Sequence, residues 1–284
     1  MNPTHSAQTR PSQRGRALTH PKPEQPAPAY VPGHGLLEGR TVVVTAAAGA
    51  GIGSATVRRC LEEGARAVVL GDTHERRLEE AVRALGGEFG ADRVAAVPCD
   101  VTKEEQVAAL LDAAEPFGGV DVMINNAGLG GTVSLLEMTD EQWQKVLDIT
   151  LTGTFRCVRA AGRRMVEAGR KGVIVNNASV VGWRAQEGQA HYAAAKAGVM
   201  ALTRSAAMDL APHGIRVNAV SPSLAMHPFL EKVTTPEFLA ELKTREAFGR
   251  AAQPWEIANV MVFLASGYSS YLTGEVVSVS SQHP

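Results

Sequence analysis

Thr41-Val42-Val43-Val44-Thr45-Ala46-Ala47-Ala48-Gly49-Ala50-Gly51-Ile52-Gly53 decides the fold of this chain. The first five residues are apolar or β-branched, the composition of a strand buried on both faces of a parallel sheet. The run that follows is almost wholly alanine and glycine, and from Ser54 to Glu63 the pattern turns helical. Strand, glycine loop and helix in that order suit a dinucleotide pyrophosphate. Small residues let the main chain approach it, and the helix start offers free N–H groups and a positive dipole end. Gly49, Gly51, Ile52 and Gly53 are the candidate contacts.

The alternation of strand and helix continues on the C-terminal side. Ala67–Leu70 is a second apolar strand and ends at Gly71-Asp72, about 20 residues past the loop. A carboxylate there accepts hydrogen bonds from the adenosine ribose and repels a 2′-phosphate, which favours NAD over NADP. Arg76 and Arg77 follow and could moderate that preference, and Asp72 also reads as a cap of the next helix. Val94–Pro98 is a third strand, followed by Cys99-Asp100-Val101. Val120–Ile124 is a fourth and runs into Asn125-Asn126-Ala127-Gly128, which in isolation reads as a turn. Trp143 to Phe155 opens a long helix. Val173-Ile174-Val175, Ile215–Val220 and Val276–Val279 complete the strands, with helices after Tyr192 and over Pro254–Ala265.

Between the fifth strand and the helix after Tyr192 lies the chemistry. Tyr192 and Lys196 are four residues apart, so on one helix they share a face. An ammonium beside a phenol favours the phenolate and lowers a pKa that is about 10 when free. Such a tyrosine can pass protons near neutral pH. Ser179 stands thirteen residues before it, at a strand end, where its hydroxyl could face the phenol across a pocket. Taken singly, a Tyr-x-x-x-Lys pair reads as a solvated helix face and a serine after a strand as a cap.

In combination, the glycine loop, Asn125-Asn126-Ala127-Gly128 and the Ser179/Tyr192/Lys196 spacing resemble the short-chain dehydrogenase/reductase family in its single-domain branch, from about Leu37 onward. The resemblance implies an α/β fold: a Rossmann-type doubly wound seven-stranded parallel sheet with helices on both faces. It implies one domain over residues 36–284 with a substrate lid at about 224–249. Ser179, Tyr192 and Lys196 are then catalytic in hydride transfer between a nicotinamide cofactor and a secondary alcohol or ketone. Thr150 stands where a fourth catalytic residue is usually asparagine, at a helix bend that frees a carbonyl to hold a water near the lysine. Asp100 and Val101 fall at adenine contacts, and Asn126, Ala127 and Gly128 beside the cofactor ribose. Tyr192 and Lys196 also face the cofactor, and Pro222 and Ser223 lie on its nicotinamide side. His227 takes the place of a threonine that often contacts the carboxamide. The chain departs from the family pattern at Ala46 (for glycine, with one extra residue before Gly51), at Thr150, at Ser223 (for glycine), and at Ser280-Ser281-Gln282-His283-Pro284 in place of an Asp-Gly-Gly turn.

The wider pattern resembles 3-oxoacyl thioester reductases. Finer wording, such as the Ala-Ala-Ala-Gly loop, Gly-Trp-Arg-Ala-Gln and the Gln-His-Pro ending, resembles actinobacterial reductases of bicyclic C/D-ring intermediates in steroid breakdown. Trp183 could flank such a ring system and Arg184 could meet a carboxylate or a coenzyme A phosphate. Equally, Trp183 could be packed and Arg184 solvated. Phe229, Leu230, Phe238 and Leu239 suit either an apolar lid or plain core. The resemblance also implies a homotetramer or homodimer built on paired long helices. The other functional class is a dinucleotide-sensing regulatory protein that does no chemistry.

Composition sets the outer bounds. With 284 residues, 45% of them hydrophobic, the chain can bury one large core. A net charge of −1 points to neither nucleic acid nor a membrane surface, and no apolar run approaches the roughly 20 residues a span needs. The N-terminal arginines lack the apolar segment of a secretory signal. Cys60, Cys99 and Cys157 are widely spaced, and no His cluster has ligand spacing, so neither a metal site nor a disulfide framework is expected; a reducing cytoplasm is the simplest setting. Residues 1–35 hold seven prolines and almost no aliphatics, which reads as a disordered or surface-draped tail.

Overall fold

The computed structural model describes residues 24–226 and 235–282. Strands β1 (Thr41–Thr45), β2 (Ala67–Asp72), β3 (Val94–Pro98), β4 (Val122–Asn125), β5 (Val173–Asn177), β6 (Arg216–Pro222) and β7 (Val276–Val279) form one sheet, in the order β3-β2-β1-β4-β5-β6-β7. Every pairing is parallel. Parallel neighbours need long crossovers, and helices α1 (Ile52–Glu62), α2 (Glu75–Phe89), α3 (Glu104–Asp112), α4 (Asp140–Leu147), α5 (Gly153–Glu167), α6 (Ala190–Leu210), α7 (Pro236–Arg245) and α8 (Pro254–Ala265) supply them.

The pleat divides each strand between two cores. Val42, Val44, Val68, Leu70 and Ile124 pack with Val57 and Leu61 of α1 and Ile257 and Met261 of α8. Their neighbours Val43, Val69, Met123 and Ile174 face the other way, onto Leu110 of α3 and Cys157, Ala161 and Met165 of α5. The doubly wound architecture expected from the sequence is the one observed. The strand order reverses between β1 and β4, and at such a switch point the crevice beyond the strand ends is the binding site.

A polar ladder closes that end of the sheet. Asn125 Nδ2 donates to Asn176 Oδ1 at 2.8 Å, and Asn176 Nδ2 to Thr203 Oγ1 of α6 at 2.9 Å. One residue further along both strands, Asn177 Nδ2 donates to Asn126 Oδ1 at 2.9 Å.

Two features add detail to the simple reading. The helix expected from Trp143 onward is interrupted. Thr139 and Gln142 cap α4 reciprocally, but Asp148–Thr152 is a π-turn in which Gly153 N–H reaches Asp148 O, before α5 resumes. Residues 24–35, within the segment read as tail, hold no helix or strand yet are anchored to α1 and α8. Tyr30 hydrogen-bonds Glu62 and sets its ring edge-on to Trp255, 5.2 Å between centroids. Arg59 donates to the carbonyls of Val31 and Pro32. Glu63, fully buried, accepts from His34 N at 2.7 Å and Leu36 N at 3.1 Å and pairs with Arg59. Burial pushes the Glu63 carboxyl up, but these bonds and the Arg59 charge outweigh it and hold it below the ordinary value. Within the segment read as lid, α7 is described, whereas His227, Phe229 and Leu230 lie outside the described residues.

Ala46, standing where the family pattern has glycine, has φ +50°, the one non-glycine residue with positive φ among those described. A side chain in the left-handed region costs about 1 kcal/mol. Ala46→Gly should therefore raise the stability of the chain by about 1 kcal/mol or somewhat less, read as a higher urea midpoint at unchanged slope. A lower midpoint would mean that the loop is not strained at this residue.

Candidate active site

β5 delivers the chain to Ser179, which caps the turn Val180–Gly182, its Oγ accepting from Val181 N at 3.3 Å. That turn lies directly on α6. A Cβ on Gly182 would stand 3.0 Å from Ala197 N, so only glycine permits the approach. The contact brings the strand end against the first turns of α6, where Tyr192 and Lys196 share a face. The Ser179 side chain is close enough to the Tyr192 phenol to ease its ionisation, and Lys196 Nζ lies 5.6 Å from the Tyr192 ring centroid. The three residues paired by spacing thus meet in space. Ser179 and Lys196 are buried and Tyr192 half-buried.

The electrostatics differ from the sequence expectation. Burial pushes the Tyr192 phenol above its ordinary value, and the nearby Ser179 side chain draws it back only in part. The lysine does not govern it, because Nζ is turned to donate to the carbonyl of Asn177. Burial also lowers Lys196 itself, to about 8.

Thr150 is wholly buried in the π-turn. Its hydroxyl accepts from Leu129 N at 2.9 Å and donates to Leu129 O at 3.2 Å, so it clamps the loop after β4. Its carbonyl, expected to be free for a water, accepts from Thr154 Oγ1 at 2.8 Å. Gly128 stands between Thr150 and the lysine. A Cβ there would lie 3.3 Å from Lys196 Nζ and 3.7 Å from Thr150 Oγ1.

The crevice fits a dinucleotide. α1 starts at Gly51 with no side-chain cap and no acidic residue in its first turn, which leaves its N–H groups free for an anion. A Cβ at Gly49 or Gly51 would meet only open space, whereas at Gly53 it would lie 2.1 Å from Ala46 O and 2.6 Å from Asn126 Nδ2. Gly53 therefore seats α1 on the end of β1, and Ile52 opens the helix there. Asp72 Oδ2 accepts from Ala48 N at 3.0 Å and Oδ1 from His74 N at 3.1 Å. It both steadies the glycine loop and turns the chain into α2, with lone pairs left on each oxygen for ribose hydroxyls. Asn126 and Ala127 donate their N–H groups to Thr45 Oγ1 at 3.0 and 3.1 Å. Asp100 Oδ1 accepts from Thr102 N at 2.9 Å, and Val101 is buried in the core. Pro222 ends β6, and Ser223 Oγ donates to Glu246 at 3.1 Å.

Sequence reasoning passed over two residues. His191 is buried next to Tyr192, and its Nδ1 accepts the Tyr192 N–H at 2.8 Å, which places the proton of the neutral ring on Nε2, near Gly131. Its neighbour in sequence was the available signal. Glu246, buried just past α7 beside the strand ends, had none.

The buried ammonium has a measurable signature. The folded chain holds the Lys196 proton less tightly than the unfolded chain, whose lysines titrate near 10.5. Its burial therefore lowers stability below about pH 8, and that penalty fades as pH rises from 8 toward 10.5. Lys196→Met should gain in melting temperature relative to the parent at pH 7, with the advantage shrinking by pH 10. An advantage that stays constant across this range would place the ammonium in water rather than in the core.

A family model described as enoyl-(acyl carrier protein) reductase matches residues 46–281. Over 259 residues the chain is 60% identical to the (5R,7aS)-5-hydroxy-7a-methyl-1-oxo-2,3,5,6,7,7a-hexahydro-1H-indene-carboxyl-CoA reductase of Mycobacterium tuberculosis, covering 91% of this chain and 98% of that one. It is 38% identical to the 3-oxoacyl-[acyl-carrier-protein] reductase of Thermotoga maritima, covering 86% and 97% of the two. The crystal structure of a short-chain dehydrogenase from Mycobacterium smegmatis superposes with a TM-score of 0.80 at 55% identity, over 91% of this chain and 99% of that one. By these matches the chain belongs to the short-chain dehydrogenase/reductase family of oxidoreductases.

Proposed function

We propose that this oxidoreductase uses NAD to interconvert a secondary alcohol and a ketone carried on a bulky, partly apolar acyl thioester, with Tyr192 as the proton-transferring residue. The observation that carries the reading is that Ser179, at the end of β5, lies against Tyr192, one helical turn from Lys196 on α6, beside a dinucleotide crevice. Relatives named as reductases support it over a sensor that does no chemistry.

The nicotinamide, when bound, supplies or accepts the hydride. The chain's own residues handle the oxygen. In reduction Tyr192 gives its proton to the substrate oxygen as that oxygen becomes an alkoxide. Ser179, whose Oγ accepts from Val181 N, can turn its hydroxyl proton from the phenol to the same oxygen. Positioned donors and acids of this kind each contribute roughly 10²–10⁴-fold. Lys196 orients the cofactor ribose hydroxyls. Thr150 acts by holding Leu129 and so the loop that borders the lysine. Gly49, Gly51, Ile52 and Gly53 receive the pyrophosphate, Asp72 the adenosine ribose, Asp100 and Val101 border the adenine, and Asn126, Ala127, Gly128, Pro222 and Ser223 flank the rest of the cofactor. The carboxylate of Asp72 favours NAD over NADP.

The M. tuberculosis relative is named for a bicyclic coenzyme A thioester. A half-exposed Trp183 and the neighbouring Arg184, just past Ser179, suit a substrate with an apolar ring system and an anionic handle. A groove of about 520 Å³ between α5 and α6, lined by Phe155, Val158, Val166, Leu202 and Leu210, supports a homodimer or homotetramer joined there. No helix among the described residues is long and apolar enough to cross a membrane. Three buried free thiols suit a reducing cytoplasm.

Fluorescence titration should give tighter binding of NADH than of NADPH, and Asp72→Ala should narrow that difference. Tyr192→Phe should bind NADH as the parent does yet lose at least about 100-fold in kcat on 3-oxoacyl and bicyclic keto thioesters. Arg184→Ala should raise KM for coenzyme A thioesters and leave that of uncharged ketones alone. An equal rise for both would remove Arg184 from substrate contact.

A further inference from the structure

Glu246 sits just past the end of α7, is 1% exposed, and has no ion-pair partner among the described residues. Four hydrogen bonds stand in for the water it has lost. Oε1 accepts from Leu224 N at 3.3 Å and from Gln282 Nε2 at 2.9 Å. Oε2 accepts from Ser223 Oγ at 3.1 Å and from Ser281 Oγ at 2.7 Å. Each oxygen thus joins the loop after β6 to the segment after β7. A backbone bridge between Glu246 and Gln282, and a bond from Ala247 N to Ser281 O at 2.7 Å, reinforce the join. Gln282 then extends the chain of bonds to the substrate side, its Oε1 accepting from Arg184 Nη1 at 2.7 Å. That is the one hydrogen bond the Arg184 guanidinium makes among the described residues.

Two departures from the family pattern therefore meet on one carboxylate: Ser223, in place of glycine, and Ser281-Gln282, in place of the Asp-Gly-Gly turn. We propose that Glu246 and Gln282 are positioning residues that lock the nicotinamide-side loop, the end of the lid helix and Arg184 into one unit, so that the guanidinium is held ready for an acidic substrate. This rests on the reading of Arg184 as a substrate contact. The physical logic is that of a buried network: the amide of Gln282 uses both ends, one on the carboxylate and one on the guanidinium, so each fixes the other. A free arginine would have to lose side-chain freedom on each binding event, whereas this one has lost it already.

The test uses Gln282→Ala in the full chain, since Glu246→Ala strips a carboxylate from the core and could simply fail to fold. Amide exchange followed by mass spectrometry should speed up about tenfold or more in residues 221–226, which Gln282 does not touch, as well as in residues 182–186. Faster exchange at 182–186 alone would overturn the coupling through Glu246. With acetoacetyl coenzyme A as the probe, KM should rise about tenfold while kcat stays within about twofold. In an Arg184→Ala background the same change should add nothing to KM, because the two residues act as one. An additional tenfold rise there would show that Gln282 does not work through Arg184. Absence of turnover in the parent would count against the proposed activity, and the exchange measurement would then judge the lock by itself.

Discussion

The contact on which the site depends is the seating of α1 on the end of β1. Gly53 lies so close to the Ala46 carbonyl and the Asn126 amide that a single added carbon would collide with both. Because of that approach the helix start points into the switch-point crevice with its N–H groups uncapped. The strain of Ala46 and the hold of Asp72 on Ala48 follow from the same geometry, since the loop must turn within the space left by this packing. The sheet provides the other half of the constraint. Because all its strands run parallel, the ends of β1, β2, β4, β5 and β6 open on one side, and residues from distant parts of the chain arrive at one crevice.

Within the crevice, burial and hydrogen bonding oppose each other. The phenol and the ammonium are both shifted toward their neutral forms by loss of water, the one upward and the other downward. A cofactor carrying ribose hydroxyls and phosphates would offer the ammonium acceptors beyond the Asn177 carbonyl, its one hydrogen-bond partner among the described residues. At neutral pH the phenol keeps the proton that reduction requires and the ammonium keeps its charge, which a bound dinucleotide would hold more firmly.

The β-branched runs of the strands, the glycine loop and the serine–tyrosine–lysine spacing were legible because each is a local signal with a physical meaning: pleat, close approach, helical turn. The π-turn was legible only in part: the resemblance implied a bend at Thr150, but no local residue pattern within Trp143 to Phe155 marks five-residue hydrogen bonding. The role of Thr150 was hidden for the same reason. Its hydroxyl is used by Leu129, 21 residues away. Glu246 was invisible altogether: its partners lie 22 to 36 residues away in two segments, and none of these spacings matches a periodic element. The lysine's effect on the tyrosine was misjudged because sequence shows adjacency on a helix face but not burial, and burial decides the sign.

The amide ladder at the strand ends has a consequence for how the chain finds its active geometry. Apolar parallel strands are poor at choosing a register, because valine accepts valine at any offset. Asn125 and Asn176 face each other in register, and a slip of one residue would turn one amide to the opposite face of the sheet and break their hydrogen bond. The ladder thus works as an indexing pin. It fixes how far β5 projects, and with it the height at which Ser179 meets the phenol, so the alignment of the reacting groups is settled when the sheet assembles, before any ligand arrives.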